Sequence, residues 1–382
     1  MINIVITADY EIFGNGSGDV RDCLISPTNE ILRICNDYGV KLTLFFEVVE
    51  YWAYKRNEEE GNLNHLEYRP SVLMEQQAID AIRDGHDVQL HLHPQWLGSH
   101  YIQDRWQLNL DYWCLPNVPN GIGEIGDIFS LRGLLYQGKS TLESLLSQHV
   151  SGYECMALRA GGWCIQPSAD VMRVMKEVGF IADSSVYKGG FINDDLYNID
   201  FRDAHSELNP WMADPDDINK VIGCDLVEGI WELPIFTRTQ RRITRINLHR
   251  IGLFLNRKSN LKLRPDNCRG APAKSSKSNR KLLLSPRRLF NFLIEPVAKQ
   301  WDFCNLNAGE MWNFFNYFLR EHYNLDKNHT LVMIGHPKEF NNYKEFHSFL
   351  NKISRHELFS SGNLRFVSIS EAIKSLREAK EY

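Results

Sequence analysis

The sequence predicts an α/β fold built on a largely parallel sheet, and three observations lead there. First, Ile2–Thr7, Lys41–Glu47 and Val88–His93 are apolar runs of strand length, separated by two stretches of helical periodicity. Strand–helix–strand–helix–strand is how parallel strands are joined, because each crossover needs a covering helix. Second, the apolar runs keep closing on polar residues: Asp9 and Glu11, His91 and His93, Arg159, Asp183, Glu232 and His336. Ligands and chemistry collect at the C-terminal end of parallel strands. Third, a chain of 382 residues, 43% hydrophobic and 24% charged, is of ordinary globular composition, long enough for one α/β domain with insertions or for two domains.

Taken in order, Ile2–Thr7 is a buried strand, and Gly14–Gly18 is an irregular loop. Ser26-Pro27-Thr28 opens a helix that runs to about Tyr38, with proline in its first turn, where no N–H is missed. The second strand leads into an aromatic stretch and an acidic loop, 57–64; residues 71–84 form an amphipathic helix. Residues 98–138, rich in Trp, Tyr, Gly and Asn, read as a rim over the strand ends, with a helix following at 140–148. Strands are expected at 156–163, 179–186, 230–234, 329–336 and 364–368, and helices at 167–178, 310–323, 342–354 and 370–379.

The formal net charge is −5, but it is unevenly placed. Between Arg238 and Arg288 there are 16 Lys and Arg against one acid, Asp266, so this island carries +15 and the remainder −20. The pattern implies an α/β domain made of 1–235 and 305–382, interrupted by a basic insertion at 236–304. Within the insertion, Arg241–Leu255 interleaves cations with apolar residues, as suits a helix lying on an anionic membrane surface. A solvated insertion that binds nothing has the same composition, and a phosphate-bearing substrate is another partner for it. Nucleic acid is disfavoured, because the rest of the chain would repel it. There is no signal-type leader and no membrane-spanning run, so a cytoplasmic protein, held at most peripherally at the inner leaflet, is expected. The eight cysteines show no close pairing, which suits reduced thiols.

The chemistry concentrates around 81–97, AIRDGHDVQLHLHPQWL. Alternate strand residues share a face, so His91 and His93 point together and can share one metal ion. An edge strand with two exposed histidines would have the same pattern. Asp9 and Glu11 likewise share a face, one suited to ligate and the other to act as a base. A carboxylate with two imidazoles leaves a first-row metal with open positions, the arrangement of a catalytic site. His336 closes the most apolar late strand and could serve as a general acid.

In order, ITADYE, GHDVQLHLHP, LRAGGW, ADSSV, WELP and IGHP resemble the motif series of the polysaccharide deacetylase (NodB-homology) family of carbohydrate esterases, in a variant form of the lipopolysaccharide-biosynthesis type. The resemblance spans 1–375 apart from the aromatic loop and the basic island. It implies a distorted (β/α)7 barrel and a divalent metal, usually zinc, used to hydrolyse acetyl groups on sugars. It further implies that Asp9 is the base, that Glu11, His91 and His93 hold the metal, that Arg159 orients the base, and that His336 is the acid, tuned by Asp183. Trp163 and Trp96 are the candidate substrate-pocket walls. His86 and Glu232 are expected to be structural. Two departures stand out: Tyr10 replaces the second aspartate of the common first motif, and four residues after His91 the common second histidine is Gln95. The function expected is removal of an acyl group, N-acetyl foremost, from a nucleotide- or polyprenyl-linked sugar in surface polysaccharide or lipopolysaccharide assembly. Deformylation, O-deacylation, a non-catalytic glycan-binding relative and an interaction protein acting through the basic island are the alternatives.

Overall fold

The computed structural model describes residues 1–194, 198–223, 229–241 and 296–380. β1 (Ile2–Tyr10) is buried along its whole length and runs beside β2 (Leu42–Glu47), β3 (Asp87–Leu92), β6 (Ala157–Ala160), β7 (Ala182–Asp183) and β12 (Trp231–Glu232), every neighbouring pair parallel. On its other edge β1 pairs in parallel with β15 (His329–Gly335) over Ile2–Ala8. Past β12 the chain reaches β15 through single parallel bridges, Ile235 to Val332 and Asp302 to Ile334. Seven parallel strands joined on the last side by isolated bridges rather than a full ladder make the distorted (β/α)7 barrel that the motif series implies. β10 (Trp211–Asp214) and β11 (Asp217–Val221) extend the sheet antiparallel beyond β12.

The period of two sorts each strand into a barrel-facing and a helix-facing row. In β1, Ile2, Ile4, Ile6, Ala8 and Tyr10 join the large core under the helices, whereas Val5 meets Phe45, Ala157, Ala182, Leu233 and Val332 in a second cluster. That inner cluster is closed by Ile369, Ala372 and Ile373 of the last helix, α9 (Ile369–Lys380). The inner row of β1 therefore runs from Val5 through Thr7 to Asp9, apolar at the plugged end and ionised at the open end. The helices of the outer layer are α1 (Ser26–Asp37), α2 (Val48–Glu59), α3 (Pro70–Arg83), α4 (Leu131–Leu146), α5 (Ala169–Glu177), α6 (Ala308–Glu321) and α7 (Tyr343–Ile353), with a short α8 (Glu357–Ser360) before β16 (Leu364–Phe366).

Several elements differ from expectation. The aromatic stretch and half of the acidic loop are α2, whose first N–H groups are capped by Glu47, the last residue of β2, rather than by a Ser, Thr, Asp or Asn. Helix α4 starts at Leu131, nine residues earlier than the periodicity suggested, and Gly138 within it lies against Leu90, where a Cβ would come within 3.2 Å. The glycine that reads as a breaker is there because strand and helix touch. The hairpin β4–β5 (His100–Ile102, Arg105–Gln107) lies in the stretch read as a rim, and a second hairpin, β8–β9 (Phe191–Asn193, Asn198–Asp200), lies where no element was expected. Arg241, expected to begin a helix, ends β13 (Thr237–Arg241), which pairs antiparallel with β14 (Pro296–Gln300). The remainder of the expected membrane-binding segment, from residue 242 on, lies outside the described residues. Cys35, Cys114, Cys155, Cys164 and Cys304 are free and buried, but Cys23 is in a disulfide. No helix among the described residues is long and apolar enough to cross a membrane.

Candidate metal centre and acid–base pair

The strand ends bring Asp9, Glu11, His91, His93, Arg159 and His336 together at the open mouth of the barrel. Glu11, His91 and His93 are all buried, and one ligand atom of each lies within 4.8 Å of the others. The Nδ1 of His91 is 2.7 Å from the Arg159 carbonyl oxygen, which can only accept, so Nδ1 carries the proton. Its Nε2 is left bare, buried and without a hydrogen-bond partner, aimed at Glu11. Burial first, against the attraction of Asp9 and Glu11, lowers the His91 pKa to about 4, so the ring is neutral at physiological pH, as a ligand must be.

His93 lies one residue beyond β3, still on the His91 face, with Nε2 2.7 Å from Glu11 Oε2. Its ring fits only because residue 161 is glycine: a Cβ there would sit 2.5 Å from the imidazole. The next two residues, Gly162 and Trp163, both have positive φ and turn the chain sharply over the site. The partner of His93 Nδ1 is Gln95, whose amide nitrogen is 2.8 Å away while its Oε1 is buried and unpartnered. Turned over, the amide would accept from Nδ1–H and leave Nε2 bare, matching His91. Gln95→Leu is therefore expected to weaken zinc binding about 10–100-fold, read by competition with a chelating indicator. Unchanged affinity would remove Gln95 from this role.

Glu11 has a second partner that the sequence reading missed. Lys338, partly buried in the turn after the last long strand, donates to Glu11 Oε1 at 2.7 Å and to the Ile12 carbonyl at 3.0 Å. Burial works against the Glu11 carboxylate, but Lys338 and His93 outweigh it and hold its pKa well below the usual carboxylate range. Two more carboxylates lie close by. Burial raises Glu47 to about 7, and burial with Glu47 and Glu11 raises Glu50 well above its usual value, so the pocket does not carry all three as anions. Glu47 could have been found, since it closes an apolar strand just as Asp9 does. Lys338 had no such signal beyond following His336-Pro337.

Asp9 is pinned on one side by Arg159 Nη1 at 2.6 Å and faced on the other by His336 Nε2 at 3.4 Å. Arg159 is itself fully buried, donating to Thr7 Oγ1, the Ser184 carbonyl and Ser184 Oγ, with its guanidinium 4.1 Å over the Phe45 ring. Burial opposes the Asp9 charge, yet Arg159 and His336 prevail and its pKa is lowered. Burial also opposes the His336 cation, yet the hydrogen bond and charge of Asp9 raise it to about 9. At neutral pH the pair is carboxylate and imidazolium.

Asp183 stands elsewhere. Its carboxylate accepts from Ser185 N at 2.7 Å and Ser185 Oγ at 2.9 Å and faces Glu232, which burial and Asp183 drive to the protonated form. The carboxylates that act most on His336 are Asp9 and Glu339, with Asp302 also near it, whereas the hydrogen bonds of Asp183 go to Ser185. Trp163 is placed at the mouth, its ring centroid 6.4 Å from His336 and 5.1 Å from Tyr187. Trp96 is not. It is 2% exposed, packed against Trp106 at 5.0 Å and Tyr54 at 6.3 Å, because the turn Pro94–Trp96 directs it into the core. Trp113, from the aromatic loop, lies 5.9 Å from His93 and is the tryptophan that the reading overlooked. His86 is structural as expected, its Nδ1 accepting from Leu42 N at 3.1 Å.

No family model matches the sequence, and no curated protein does either. Solved structures do match in fold. A candidate glycoside hydrolase/deacetylase from Parabacteroides distasonis superposes with a TM-score of 0.53 at 10% identity, over 98% of this chain and 71% of that one. A candidate polysaccharide deacetylase from Mycobacterium smegmatis gives 0.47 at 12% identity, over 99% of this chain and 91% of that one. The seven-stranded distorted barrel is the fold that this chain shares with the first of these structures.

Proposed function

We propose that the chain is a metal-dependent hydrolase that removes an acyl group, N-acetyl foremost, from a sugar in the assembly of surface polysaccharide or lipopolysaccharide. The observation that carries this reading is the meeting of two sets of groups at one barrel mouth: Glu11, His91 and His93, and the ion pair of Asp9 with His336. The first set fits a divalent ion such as zinc, since His91 presents a bare buried nitrogen and Glu11 keeps one oxygen clear of Lys338. Such an ion, when bound, supplies Lewis acidity toward an acyl carbonyl and lowers the pKa of water.

The chain's own residues divide the proton work. Asp9, ionised and fixed by Arg159, accepts the proton of the attacking water. His336, charged at neutral pH, donates to the departing amine nitrogen. Trp163 and Trp113 flank the mouth and offer flat apolar faces to a sugar ring. The basic segment, whose residues 242–295 lie outside those described, is proposed to favour a nucleotide- or polyprenyl-linked substrate, and to hold a cytoplasmic enzyme near the inner leaflet.

The test is release of acetate from a panel of N-acetylated sugars, free and phosphate-linked, by zinc-loaded protein. Because His336 loses its proton near pH 9, turnover is expected to fall as pH rises through that value. The donor is present below that pH and absent above it. In His336→Asn the residual rate should lose this alkaline limb; a limb that persists unchanged would assign it to another group. Metal-loaded protein that binds the panel but releases nothing would leave a glycan-binding relative.

A further inference from the structure

Away from the barrel mouth, the ribbon of β13 and β14 and the helix α6 enclose a cavity of about 470 Å³ lined by Arg238, Gln240, Lys299, Asn313, Asn316 and Arg320, with Glu310 as its carboxylate. Arg238 and Lys299 are direct cross-strand partners and so share one face of the ribbon. Like charges placed opposite each other destabilise a ribbon unless something neutralises them. Glu310 does so for Lys299, at 2.8 Å. Arg238 is held differently: its guanidinium lies 4.2 Å over the Tyr317 ring and donates to the Asn313 carbonyl at 3.2 Å, while its Nε has no hydrogen-bond partner. Arg320 adds a further cation, which meets Glu321 at 3.9 Å on the exposed surface. A planar guanidinium stacked in place, a second arginine and three side-chain amides make a set of donors with a surplus of positive charge.

We propose that this cavity binds a phosphate-bearing group, a diphosphate by its size and charge. The basic stretch of the sequence is joined to this same ribbon, at Arg241 and Pro296. The ribbon also connects to the barrel mouth. Thr237 Oγ1 donates to the Lys188 carbonyl at 3.1 Å, and the preceding Tyr187 packs on Trp163. The proposed site would take the phosphate end of a sugar whose acyl end is worked on at the mouth, which deepens the substrate class and rests on the proposed deacylase reading. The same phosphate chemistry is offered by a lipid headgroup.

The experiment is calorimetric titration of the full chain with inorganic pyrophosphate at low salt, beside Arg238→Gln and Arg320→Gln. A parallel arm uses vesicles containing phosphatidylglycerol. Each substitution is expected to weaken pyrophosphate binding at least about tenfold with unchanged thermal melting. Binding to vesicles alone, lost in the same variants, would assign the phosphate to a lipid headgroup. No pyrophosphate or vesicle binding, or equal binding in both variants, would overturn the proposal. Asp9→Asn should bind pyrophosphate normally. In the wild type, absence of deacylase activity with pyrophosphate binding intact would sink the enzymatic reading and leave this site standing.

Discussion

Replacing Arg159 with methionine is expected to cost about 3–5 kcal/mol of stability, because it leaves the buried Asp9 charge with only the more distant His336 imidazolium to offset it. Methionine fills much of the space over Phe45, so the loss is electrostatic rather than a cavity effect. It also strips Thr7 and Ser184 of their donor at the centre of the barrel. Denaturant unfolding measures the cost. Adding Asp9→Asn should recover part of it, since the buried charge is then gone, and the two changes should be clearly non-additive. A double variant as unstable as the sum of the singles would contradict the ion pair as the source.

Asp9→Asn alone carries the second large effect. Turnover should drop about 10²–10⁴-fold with KM little changed, because asparagine keeps the shape and a hydrogen-bond acceptor for Arg159 but cannot take a proton. The same substitution removes the main influence that raises His336. The His336 imidazole should then titrate well below 9, which NMR of the ring protons can follow without any turnover. If His336 still titrated near 9 in the variant, Asp9 would not be the group that holds its proton.

The sequence made the barrel legible because parallel strands buried on both faces leave long apolar runs, and because ionisable residues close several of those runs. Asp9, His91, Arg159 and His336 each close or punctuate such a run, and the structure puts them at one mouth. What stayed hidden depends on side-chain direction or on distant partners. Trp96 and Trp113 look alike in sequence, but one turns into the core and the other faces His93. Lys338 becomes part of the site only because the last long strand lies next to the first in space, a neighbourhood that no local pattern encodes. Helix α2 was missed for a related reason. Its cap is Glu47, a residue of the preceding strand.

The central claim, a metal site made by Glu11, His91 and His93, is tested most directly by the metal content of the purified chain beside His91→Ala and His93→Ala. The account predicts about one divalent ion per chain in the wild type and loss of it in both variants. A wild type that retains none after zinc is supplied and the excess removed, or a His93→Ala variant that keeps its full complement, would contradict it.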